Sequence, residues 1–156
     1  MAAAMNKTDN LLASAAAGTT IMTLFSYLVS LAADKNFSEP EHLGTMIHRL
    51  MPGASKKATQ FAGWGAHYAV GLLFLLAYQE LWKTGKIKKT WFNGLVTGAL
   101  SGALAVLVWK GTLKAHPLPP WMDFTNFFVQ LVPAHIVFAV CATLTSRLLD
   151  EGIKAQ

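Results

Sequence analysis

Apolar residues in this chain gather into four long runs, Leu11 to Ala33, Ala58 to Trp82, Trp91 to Trp109 and Thr125 to Ser146, separated by short polar stretches. A helix rises about 1.5 Å per residue, so roughly 20 apolar residues cross the ~30 Å hydrocarbon core of a bilayer. Each run is close to that length. The pattern predicts an all-α fold, an integral membrane four-helix bundle in which residues 1–156 form one transmembrane domain.

Polar positions inside the runs repeat at helical spacing. In the first run Thr19, Thr23, Ser26 and Ser30 share one face of a 3.6-residue helix, with Tyr27 beside them. That face is expected to point into the bundle, either as small residues permitting close packing or as a lined polar path. In the second run Gly63, His67, Gly71, Phe74 and Tyr78 make one stripe. The glycines flanking His67 leave room for a neighbouring helix or a planar ligand. The third run carries Gly94, Gly98 and Gly102, a doubled small-residue motif that lets two backbones approach closely. It is expected to seal against another helix of the same chain, with a second copy as the other choice. The fourth run opens with Asn126 and Gln130 on one face and meets Pro133 two residues before His135. Proline frees the carbonyl of Val129, which Asn126 and Gln130 are placed to satisfy.

Between the first two runs, Ser38 and Glu41 have the spacing of a capping box, and Leu43, Met46, Ile47 and Leu50 form an apolar stripe ended by Pro52-Gly53. The segment from about 38 to 51 therefore reads as a short amphipathic helix lying in the interface or capping the bundle. His42 and His48 fall off its stripe and are expected to be solvated. Further along, Pro117, Pro119 and Pro120 make a stiff non-helical lip carrying His116, a candidate site residue, and Asp123.

Composition sharpens this picture. Apolar residues make up 53% of the chain and charged ones 13%, against about 25% in a soluble domain. The net charge of +5 sits beside the runs rather than on one face, which favours contact with anionic lipid over nucleic acid. The turn from Lys83 to Lys89 holds four lysines and is expected on the cytoplasmic side, placing both termini inside, although the basic residues overall divide almost evenly. Trp82 and Trp91 flank that turn, while Trp64, Trp109 and Trp121 lie near the other surface, as in two aromatic belts. Ser30-Leu31-Ala32 resembles a signal cleavage site, but the first run exceeds the roughly 7–15 residues of a signal h-region, so it reads as a retained helix. The single cysteine, Cys141, lies in the fourth run and reads as a buried, inert thiol.

An ionisable side chain at membrane depth is costly and marks a candidate site when it has a partner. His67 and His135 lie on parallel spans, roughly 9–15 Å below the outer surface at about 1.5 Å per residue. Thr23, Ser26 and Ser101 fall near the same depth. The expected polar layer is thus His67, His135, Thr23, Ser26 and Ser101, supported by Gln130, Asn126, Tyr78 and His116. Two imidazoles could relay protons, ligate haem b or a metal ion, or act as hydrogen-bonded glue between helices. No Walker, dinucleotide or H-E-x-x-H motif and no nucleophile-plus-base arrangement is present in the sequence, which disfavours an enzyme. The only carboxylate inside a run, Glu80, can reach the lysine turn. The leading expectation is proton or small polar solute handling without a cofactor. The alternatives are a haem- or metal-binding electron-transfer module and a structural subunit of a homo-oligomer or membrane complex.

The succession Gly63-Trp64-Gly65-Ala66-His67, Gly71-Leu72-Leu73-Phe74, Tyr78, Gly94-Leu95-Val96-Thr97-Gly98-Ala99-Leu100, Pro119-Pro120 with Asp123, and Ala134-His135-Ile136-Val137-Phe138 resembles the YagU-like group of small bacterial inner-membrane proteins. The likeness runs from the second helix onwards. It implies a bacterial inner-membrane location and a biochemical role that the group leaves undefined, with acid stress as one setting for it, and it brings no catalytic residues with it.

Overall fold

The computed structural model describes residues 6–154, which form five helices: α1 (Lys7–Ala33), α2 (Glu39–Leu50), α3 (Lys56–Lys83), α4 (Trp91–Ala115) and α5 (Phe124–Lys154). Among the described residues there is no strand. α1, α3, α4 and α5 are each long and apolar enough to cross a membrane, and the chain is a multi-pass membrane protein.

Local chemistry sets the helix ends. Asn6 and Asp9 form a reciprocal capping box on α1, the Asn6 side chain accepting from the amides of Thr8 and Asp9 and Asp9 accepting from Asn6. Asp34 ends α1 in the left-handed region at φ 51°. Ser55 and Thr90 cap α3 and α4 through their hydroxyls. The capping box expected at Ser38 and Glu41 does not form. The Asn36 side chain draws off both partners instead: its Oδ1 accepts from the Ser38 amide, and its Nδ2 donates to the Glu41 carboxylate.

The bundle is an open arc. α5 packs against both α4 and α1, and α1 and α2 pack on α3, whereas α3 and α4 are not closely packed on each other. α5 is accordingly the most buried span, and it continues through Pro133. The Gly94, Gly98 and Gly102 seam lies against α5, so the close approach is made within the chain. A Cβ on Gly98 would sit 2.5 Å from the Cα of Ile136, which only glycine allows. Gly63 serves α2 in the same way, abutting the backbone at Gly44 and Pro40. α2 therefore caps the bundle instead of floating in the interface. His116 donates from Nε2 to the Met46 carbonyl, and Arg49 donates to the carbonyls of Leu118 and Pro119, tying α2 to the proline lip. His116 is thus a tether and bonds none of the other candidate site residues.

Several expectations are corrected by this packing. Trp109 is a core residue, edge-on to Phe127, and not part of an aromatic belt, because α4 runs on to Ala115 and leaves Trp109 more than a turn from its end. The same extension lowers Ser101 out of the His67 level. His42 is buried against Phe127 and holds the Asn36 carbonyl. His48 is half-buried, its Nδ1 sealed without a partner. Cys141 is only half-buried. Tyr27 turns outward from the hydroxyl face.

At the lysine-turn end Asn10 is buried and donates to the Ser146 carbonyl and to Asp150, while Lys89 donates to Ser146 and pairs with Asp150 at 2.6 Å. Asn10→Leu would strip partners from Asp150 and from the buried Ser14 hydroxyl. It is expected to cost about 2 kcal/mol of stability. Arg147→Ala, which removes an exposed pair with Glu151, should change stability by less than about 1 kcal/mol. Thermal melts in one detergent compare the two directly.

Candidate functional site

His67 and His135 are both buried and line one cavity of about 490 Å³. Each ring takes its hydrogen bond elsewhere. His67 Nε2 lies 2.9 Å from Thr23 Oγ1, and His135 Nδ1 lies 2.9 Å from the Leu131 carbonyl, one turn back along its own helix. Phe74 stands edge-on to His135 with ring centres 5.4 Å apart. The hydroxyl face of α1 does turn inward: Thr19 and Ser26 are fully buried, and Thr23 and Ser30 bond back to the carbonyls of Thr19 and Ser26.

The residue that sequence reasoning missed is Glu39. It is 2% exposed and lines the same cavity as the two histidines. Its Oε1 accepts from Ser26 Oγ at 3.1 Å and from Gln130 Nε2 at 3.2 Å, and its Oε2 has no partner. Burial raises its pKa from 4.5 to about 7, against the opposing pull of its own backbone amide and of Gln130 and Ser26. A signal was available in the sequence. Glu39 continues the Leu43, Met46, Leu50 stripe by one turn and so falls on the buried side of α2. Its position at a helix start beside Pro40 makes a solvated acidic first turn the more natural expectation.

The remaining candidates separate into three places. Gln130 joins Ser26 and Glu39 in one cluster and does not serve the carbonyl freed by Pro133. Asn126 is exposed at the start of α5, where its amides bond the Asp123 carboxylate. Lys35 also holds Asp123, and together with the Asn126 bonds this keeps that carboxyl down at about 2. Asn126 is therefore a helix-start residue with no place in the layer. Ser101 bonds the Tyr78 hydroxyl at 2.5 Å, about three turns from His67 along α3, and forms a separate bridge between α3 and α4. Glu80 reaches the lysine turn as expected, pairing with Lys83 at 2.6 Å.

No family model matches this chain, and no curated protein or solved structure matches it. Among the described residues no three His, Cys, Asp or Glu side chains are grouped as a metal-binding set. What the cavity offers is two imidazoles, one carboxyl group and the Thr112 side chain set in mostly apolar walls, a composition typical of sites that hold small organic molecules. His42 lies outside the cavity, and its burial pushes its pKa below the ordinary value, opposed by its bond to the Asn36 carbonyl.

Proposed function

We propose that this multi-pass protein resides in a bacterial inner membrane with both termini in the cytoplasm, and that its cavity exchanges protons in the course of handling a small molecule. Glu39, His67 and His135 are the exchanging groups. The observation that carries this reading is the gathering of three titratable side chains around one cavity in the bundle. Desolvation brings Glu39 close to neutrality, so it can gain or lose a proton at physiological pH. The lysine turn supports the orientation, and the resemblance to the YagU-like group supports the membrane.

Proteoliposomes loaded with a pH-sensitive dye test the reading. Wild-type protein is expected to speed the collapse of an imposed pH gradient, and Glu39→Gln and His67→Ala should each reduce that rate at least about a hundredfold, the low end of the range for a lost general acid or base. A wild type no faster than empty vesicles would count against proton exchange. A Soret band in the purified protein would instead assign the histidines to haem.

A further inference from the structure

We propose that the gap between α3 and α4 is a lateral binding site for a lipid-phase molecule whose head is a hydroxylated aromatic ring, a hydroquinone carried on an apolar tail. The proposal deepens the reading above and rests on it in taking the same cavity as the working site.

The mouth comes first. α3 and α4 are joined by a short turn yet are not closely packed, and the Tyr78 to Ser101 hydrogen bond bridges them towards the lysine-turn end. Beyond that bridge the cavity opens between the two spans. Its rim is Val70 and Leu73 on one side and Leu104 and Val108 on the other, all exposed. These are mid-span positions, so the rim meets acyl chains and the site is reached from the lipid. A charged head would have to give up its hydration for nearly wholly apolar walls, which makes an ionic solute a poor occupant.

The polar groups then select the head. Thr23 has one hydroxyl proton and gives it to the Thr19 carbonyl at 2.7 Å, so its contact with His67 Nε2 requires the ring to donate. The Leu131 carbonyl can only accept, so His135 donates from Nδ1. Each neutral imidazole has thus committed its single N–H inside the protein. What it has left is a lone pair, on Nδ1 of His67 and on Nε2 of His135, neither with a partner in the chain. A ligand matched to two acceptors must bring donors, and hydroxyl groups on an otherwise apolar ring supply them. Phe74, Trp109 and Phe138 line the same space and suit a flat ring.

The test compares three ligands with one apolar body. Full-length protein in lipid nanodiscs is titrated with decylhydroquinone, with its dimethyl ether, which lacks donors, and with decylquinone, which has acceptors only, and binding is followed by quenching of tryptophan fluorescence. The hydroquinone is expected to bind at least about tenfold tighter than either relative, the size of effect one lost hydrogen bond produces. His135→Phe, which leaves the His67 acceptor in place, should weaken the hydroquinone about tenfold with its ether unchanged, and Leu104→Trp, at the rim, should weaken all three. Equal binding of hydroquinone and ether would overturn the proposal and leave a slot filled by acyl chains. No binding of any of the three would also overturn it. The comparison on wild type needs no variant, so a misfolded His135→Phe leaves it decisive. The pH-gradient assay is independent: hydroquinone binding without gradient collapse removes proton exchange alone, and collapse without binding removes the ligand class alone.

Discussion

Gly98→Leu is expected to abolish the folded bundle, and Gly98→Ala alone should lower stability by about 1–3 kcal/mol, the cost of forcing extra carbon into a packed interior. The reason is backbone against backbone. A Cβ at position 98 would lie 2.5 Å from the Ile136 Cα and 2.9 Å from the His135 carbonyl oxygen. No rotamer change relieves such a contact, so α4 and α5 must move apart along the whole Gly94 to Gly102 seam. Separating them would also disturb His135, whose Cβ faces Gly102. Gly65→Ala and Gly111→Ala provide the contrast. Neither position has an atom within 4 Å of an added Cβ, and both lie inside helices, so alanine there should be neutral or stabilise by up to about 1 kcal/mol. Thermal unfolding followed by circular dichroism in detergent, with gel filtration alongside, ranks the variants. A Gly98→Ala protein melting with wild type would show that the interface is looser than its geometry.

The second large effect is a pH-dependent stability that belongs to Glu39. Its pKa is about 7 in the folded protein and 4.5 in the unfolded reference. Between these values the folded state holds a proton that the unfolded state has lost, so stability falls as pH rises through this window. At about 1.4 kcal/mol per unit the loss approaches about 3 kcal/mol by neutral pH and is complete above the folded-state value. Glu39→Gln keeps the Ser26 and Gln130 contacts approximately in place and removes the titration. The wild-type melting temperature is therefore expected to drop between about pH 5 and pH 8 relative to that of the variant. His42 works in the opposite sense: its lowered pKa means stability is lost as pH falls below the ordinary histidine value. His42, His67, His135 and the exposed Glu41 are present in both proteins, so the difference between the two curves isolates Glu39. Parallel curves would show that Glu39 is solvated in the native state.

Legibility in the sequence tracked how local the governing physics is. The apolar runs marked all four spans, because membrane length is a count along one helix, and the hydroxyl stripe of α1 told which face turns inward. The glycine seam announced a close contact, with the choice of neighbour left to packing. Depth was read less well. Counting from Trp109 as the end of α4 put Ser101 level with His67, whereas the helix continues to Ala115 and Ser101 meets Tyr78 instead. Glu39 lay hidden because its burial depends on α2 folding down against α3 through Gly44 and Gly63, a contact that each segment marks with no more than a glycine.

By itself, then, the amino-acid pattern determined that this is a helical membrane protein with four spans, which faces of those spans are polar, and that two of those spans each carry a histidine. Periodicity and hydropathy are properties of one segment at a time, and they suffice for that much. Only the tertiary structure decided that α3 and α4 stand apart, that α2 drives a carboxyl group into the space beside them, and that each imidazole has a hydrogen-bond partner within the protein. Those outcomes depend on which helix surfaces fit each other, a property of pairs of segments distant in the chain that no single stretch records.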